Sequence, residues 1–300
     1  MGWATVLCGG CFRLYQYTSQ KMKKQDLQSL RKNASQYQAY ETAEVMTWCG
    51  GCGNYGIHNA LKRALTLEKL THRDVLFCFD VGCSGNGSDK IEGYTIHGLH
   101  GRVLPLAAGC KIANENLKVI AEAGDGATFS EGVGHLVHAI RNDYPVMFLH
   151  HDNQNYGLTT GQASSLTPKG CKMNASPDGV AQEPLNPLEM VLSLKPSFVA
   201  RTCSVDVEHM TDMFRQGLHH KGFAFIEVLQ ACPTYNKATK HEWYVEHIKP
   251  IEGFPGYDKH DLWQAREIAE VEDPLYVGVL YENPHRESFV ESVHHRKSAK

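Results

Sequence analysis

Apolar positions fall into short unbroken runs separated by stretches of helical period. The runs are Val75 to Phe79, Lys118 to Ala123, residues 145 to 150 around Val146-Met147-Phe148-Leu149, Phe198 to Cys203 and Phe223 to Leu229. Between them lie predicted helices: one begins at Asn54, read as its cap, and carries Ile57, Leu61, Ala64 and Leu65 on one face, and others span about Pro105 to Asn116, Ser130 to Arg141 and Val207 to His219. Runs this short and this continuously apolar suit strands buried on both faces, and strand alternating with helix predicts an α/β fold: a parallel sheet flanked by helices.

The pattern begins near Thr47 and fades after Lys237. Residues 1–40 are polar, rich in Gln, Lys and Tyr, and read as an N-terminal extension; 41–240 carry the main domain; 241–300 read as a C-terminal extension in which only Tyr276 to Tyr281 is strand-like. Residues 163–187 hold six prolines and glycines, and a loop of that length at a ligand-binding end predicts a lid.

Composition narrows the function classes. With 42% hydrophobic and 21% charged residues the chain is of ordinary globular type. A net charge of -3, with no basic stripe, gives no case for nucleic acid. No apolar run reaches membrane-spanning length, and Met1 to Cys11 lacks the basic start of a signal peptide. Ten cysteines in a chain with a full core point to metal or redox chemistry in a reducing, cytoplasmic setting.

The chemistry collects at strand ends. Asp125 stands between Gly124 and Gly126 at the carboxyl end of one run, and Asn153 ends the next run 28 positions later. Adjacent parallel strands would bring carboxylate and amide oxygen to one cation, and the glycines leave room for a phosphate. Magnesium fits, because it takes a few protein oxygens and fills its shell from phosphate and water. A lone Gly-Asp-Gly is more often a turn; the amide at the next strand end is what makes it a site.

Cysteines form the second group. Cys49 and Cys52 sit in a glycine-rich loop, Cys83 follows a strand, and Cys232 follows another and precedes Pro233. Four thiolates from three loops at one sheet edge suit zinc or a [4Fe-4S] cluster alike. Cys8 and Cys11 form a second CxxC without a partner pair and receive no role, and Cys78, Cys110, Cys171 and Cys203 read as core or incidental residues.

From Gly124-Asp125-Gly126 through Asp152-Asn153-Gln154-Asn155-Tyr156-Gly157-Leu158-Thr159-Thr160-Gly161-Gln162, the chain resembles the thiamine diphosphate motif of 2-oxoacid:ferredoxin oxidoreductase β subunits. Trp48 to Gly56, Cys83, and Ala231-Cys232-Pro233-Thr234-Tyr235-Asn236 are similar to the cluster pattern of the same subunits. The resemblance implies that Asp125 and Asn153 hold magnesium through side chains and Asn155 through its backbone carbonyl. It implies thiamine diphosphate contacts from Val81, Gly82, Cys83, Ser84, His100, Gly126, Ala127, Gly157 and Leu158, and cluster ligation by Cys49, Cys52, Cys83 and Cys232.

The implied reaction is oxidative decarboxylation of a 2-oxoacid, with coenzyme A taking the acyl group and electrons passing through a [4Fe-4S] cluster to ferredoxin. The Glu that activates thiamine stands in no motif here, so it is expected on a partner α subunit, without which the chain is expected to be inactive. Members often carry Lys where this chain has Thr160, and a basic residue near Asn86; neutral residues at both favour pyruvate over 2-oxoglutarate. The competing expectations are a 2-oxoglutarate-specific member, a zinc-stabilised non-catalytic scaffold, and a non-redox thiamine decarboxylase or ligase.

Overall fold

A computed structural model describes residues 24–298; Cys8 and Cys11 lie outside them. One eight-stranded sheet organises the molecule. Its strands are β1 (Val75–Phe79), β2 (Tyr94–His97), β3 (Lys118–Gly124), β4 (Val146–Asp152), β5 (Phe198–Cys203), β6 (Ala224–Leu229), β7 (Ile248–Pro250) and β8 (Leu275–Glu282). They lie in the order β2-β1-β3-β4-β6-β5-β8-β7. The pairings from β2 to β5 are all parallel, whereas β8 runs antiparallel to β5.

After β1 the chain passes to β2 on one side, then crosses to β3 on the other. β1 and β3 are therefore neighbours whose following loops diverge, which opens a crevice at their carboxyl ends.

Alternation along the strands feeds two cores. On one face Phe77, Ile120, Leu149 and Ile226 pack against Ile57, Leu61 and Leu65 of α3 (Asn54–Leu67) and Met210 and Phe214 of α7 (Val207–His219). On the other, Val119, Ala121, Phe148 and Phe225 meet α4 (Val103–Ala113), α5 (Val133–Asn142), α6 (Pro187–Ser193) and α9 (Leu262–Glu270).

Several elements depart from expectation. Helix α4 starts at Val103 and ends at Ala113, so Pro105 is its third residue and not its first. The helix expected over Ser130 to Arg141 is two pieces, a π-helical turn over Gly126–Glu131 and then α5. Asn54 is not a cap: Gly53 precedes the helix without a side-chain bond, and Asn54 is drawn inward instead. Strand β2 and helix α6 were hidden in stretches without a clear period.

The described parts of both flanks belong to the fold. Helices α1 (Lys24–Lys32) and α2 (Ala34–Gln38) precede Tyr40, which is fully buried and donates its hydroxyl to the Leu70 carbonyl at 2.8 Å. Order therefore starts before Thr47. The C-terminal segment supplies two strands, α8 (His241–His247), α9 and α10 (Phe289–Ser298), and places Ile251, Ile268, Leu280 and Tyr281 in a main core. Loop 163–187 is packed as well, with Leu166, Thr167, Met173 and Val180 buried.

Candidate cofactor and cluster site

The crevice between β1 and β3 contains a cavity of about 170 Å³. From β1 come Val81, Gly82, Cys83 and Ser84; from β3, Asp125, Gly126 and Ala127; from β4, Asn153, Asn155, Gly157 and Leu158; and His100 joins from the loop before α4. All the residues expected to touch thiamine diphosphate or magnesium thus line one space. His151, Tyr156 and Thr159 line it too and were not anticipated.

Asp125 is 1% exposed, and burial pushes its carboxyl up to about 7, against the pull of its hydrogen bond from the Ser164 hydroxyl. Ser164 bonds Oδ2; Oδ1 is buried and has no partner. Asn155 Oδ1 is orphaned in the same way, while the Asn155 amide donates to Asn153 Oδ1 at 3.1 Å. Buried oxygens without donors are costly unless something electropositive meets them. The residues therefore fit a hard cation.

Close packing sets the walls. A Cβ on Gly126 would lie 2.3 Å from Tyr156 Cε1, so Gly alone lets the tyrosine ring lie against that turn. At the mouth the Tyr156 hydroxyl donates to Glu131 Oε1 at 2.7 Å, and His100 Nδ1 is 3.4 Å from Glu131 Oε2. Asp80, 1% exposed, accepts from the amides of Val81 at 2.8 Å, Gly101 at 2.9 Å and Val103 at 3.1 Å. One carboxylate thereby fixes the β1 turn against the loop that carries His100.

Beneath the cavity, the Cys83 carbonyl accepts from Trp48 Nε1 at 2.8 Å and Asn54 Nδ2 at 3.2 Å. Asn54 Oδ1 in turn lies 3.0 Å from His151 Nδ1, and His151 Nε2 is 3.2 Å from Glu122 Oε2 without hydrogen-bond alignment. This buried chain was missed because its members are far apart in sequence and stand in no motif.

The cysteine segments meet beside it. The Gly53 amide donates to the Ala231 carbonyl at 3.1 Å, and Gln230 Nε2 approaches Cys52 Sγ at 3.6 Å. Burial pushes the Cys52 thiol up to about 11 and Cys83 up to about 12; charge on Cys232 and Cys49 raises both further, and Cys52 adds to Cys83. Cys52 and Cys83 thus lie within electrostatic reach of each other and of Cys49 and Cys232, a gathering that suits a metal centre. Among the described residues no three His, Cys, Asp or Glu side chains stand ready-spaced to hold a single metal ion. Cys78 and Cys203 are buried, and Cys110 and Cys171 half-buried.

Residues 80–228 match the thiamine pyrophosphate enzyme C-terminal TPP binding domain, and 232–298 the C-terminal region of the pyruvate ferredoxin oxidoreductase β subunit. The 2-oxoacid:ferredoxin oxidoreductase 2 subunit beta of Aeropyrum pernix is 33% identical over 262 residues, 84% of this chain and 85% of that one. This chain belongs to the 2-oxoacid:ferredoxin oxidoreductase β-subunit family. A second member, from a Sulfolobus species, is 35% identical over 84% of this chain and 87% of its own. Among solved structures, the 2-oxoglutarate:ferredoxin oxidoreductase from Magnetococcus marinus with 2-oxoglutarate, coenzyme A and succinyl-CoA bound superposes at a TM-score of 0.84, with 27% identity over 93% of this chain and 92% of that one. The family's thiamine-binding domain is the part of this chain that builds the cavity.

Proposed function

We propose that this β subunit works in the cytoplasm with an α subunit to oxidatively decarboxylate a monocarboxylic 2-oxoacid, pyruvate above all, to acyl-CoA and CO2, with ferredoxin as electron acceptor. The observation that carries the reading is the meeting, in one cavity, of the bare Asp125 Oδ1 with the Asn153 to Asn155 turn and Cys83. When bound, thiamine diphosphate supplies the nucleophile for the keto carbon and the electron sink for loss of CO2.

The chain's own residues hold and orient. Asp125 and Asn153 would bind magnesium by side chains and Asn155 by its carbonyl; Gly126, Ala127, Gly157 and Leu158 would take the diphosphate side; Val81 to Ser84 and His100 would take the rest of the cofactor. Cys49, Cys52, Cys83 and Cys232 would ligate a [4Fe-4S] cluster, and Cys83 belongs to both groups. Glu131 is engaged by Tyr156 and His100; thiamine activation is assigned to a carboxylate of the α subunit, where the family resemblance expects it.

Specificity follows from charge. Among the described residues neither Lys nor Arg lines the cavity, so no permanently charged side chain there favours a second carboxylate. A 2-oxoglutarate preference is the second reading, favoured by the ligands of the solved Magnetococcus relative. Competition between pyruvate and 2-oxoglutarate on the reconstituted complex decides, read as kcat/KM. A clear preference for 2-oxoglutarate overturns the pyruvate assignment, and a colourless, zinc-replete preparation overturns the cluster.

A further inference from the structure

The first turn of loop 163–187 reaches both halves of the proposed metal cradle. The Ser164 hydroxyl donates to Asp125 Oδ2 and accepts from the Leu166 amide at 3.2 Å. Three residues on, the Thr167 hydroxyl accepts from the Ser164 amide at 2.8 Å and donates to the Gln154 carbonyl at 2.6 Å. The turn itself is closed by the Thr167 amide on the Ser164 carbonyl at 3.3 Å. Thr167 is 2% exposed, so this arrangement is packed in place.

Gln154 is an unusual residue to seize. It lies between Asn153 and Asn155 and has φ 59, a left-handed conformation that L side chains disfavour. That conformation lets Asn155 fold back on Asn153, its amide bonding Asn153 Oδ1 at 3.1 Å and its side chain the Asn153 carbonyl at 2.7 Å. On the opposite side of the cradle, Ser164 occupies Asp125 Oδ2 and leaves Oδ1 bare.

We infer that Ser164 and Thr167 are positioning residues for magnesium, a two-hydroxyl clasp that fixes the rotamer of Asp125 and the backbone of Asn153 to Asn155 in one rigid turn. The inference rests on the magnesium reading above. Each hydroxyl spends its proton on one half of the cradle and takes an amide proton from its own turn, so neither is free to reorient without breaking two bonds. A clasp of this kind acts before any cation arrives, and removing it spreads the ligands without unfolding the chain.

The test titrates Mg2+ by calorimetry into the α–β complex stripped with chelator and held in excess thiamine diphosphate. Ser164→Ala and Thr167→Val are each expected to weaken Mg2+ about tenfold, the loss typical of an outer partner of a metal ligand. The melting temperature of the stripped complex should stay at the wild-type value, and Ser164→Thr and Thr167→Ser should recover most of the affinity. Wild-type affinity in both Ser164→Ala and Thr167→Val overturns the clasp, as does an equal loss of melting temperature, which assigns the turn a purely structural role. A wild-type complex that binds thiamine diphosphate without Mg2+ overturns the magnesium reading itself, a result separable from either.

Discussion

Asp125 shows how one side chain serves placement and chemistry together. Buried and with one bare oxygen, it is costly to keep ionised alone and favourable beside a cation. Asp125→Ala should abolish tight thiamine diphosphate binding in calorimetry while far-UV circular dichroism stays unchanged, because the residue ends a strand and supports no core contact; tight binding by that variant would refute the role. The cysteines divide by the same reasoning. Cys49→Ser and Cys52→Ser should lose iron, whereas Cys78→Ala and Cys203→Ala, both buried, should keep it and cost about 1–2 kcal/mol of packing. Equal iron loss in all four would show that the ligand set is wrong. Asp125, Asn153 and the four thiols were visible in the sequence because strand-end position and residue type coincide. Glu122, Asn54 and His151 were not, since a buried polar chain across three elements leaves no local spacing to read.

At the level of elements, the continuous apolar runs named five of the six strands from β1 to β6, and their order explains the crevice. Strand β2 escaped because it is a largely exposed edge, with Tyr94 52% exposed, and so carries no buried run. The flanks were misjudged for a related reason. Residues 241–300 look polar on average, yet they place single apolar residues, Ile251, Ile268 and Leu280, into a core made by others. Deleting residues 241–298 should therefore uncover the edge of β5 and that core face, and the shortened chain should aggregate or express insolubly. A monodisperse truncated protein with native circular dichroism would show that the segment is the appendage its composition suggests.

Across the whole molecule, several histidines are held neutral, His150 fully buried and His58 and His220 half-buried. Burial pushes His58 and His150 down to about 3 and His220 down to about 4. The unfolded chain binds protons on these rings below the ordinary histidine value of about 6.5, and the folded chain refuses them. Their contribution is thus full above that pH and is lost as pH falls toward 3. The histidines should pull urea midpoints down between pH 7.5 and 5, against the opposite slope of the raised Asp125 carboxyl, and His150→Phe, within its aromatic surround of Phe129, Phe148 and Phe225, should remove part of that downward pull. An unchanged slope would mean that other groups govern it. The antiparallel strand carries a consequence for biosynthesis. β5 ends at Cys203 and meets its outer neighbour only at Leu275 to Glu282. During synthesis that edge stays open until residues 275–282 have left the ribosome, so for that interval the nascent subunit presents an unpaired strand to its own kind.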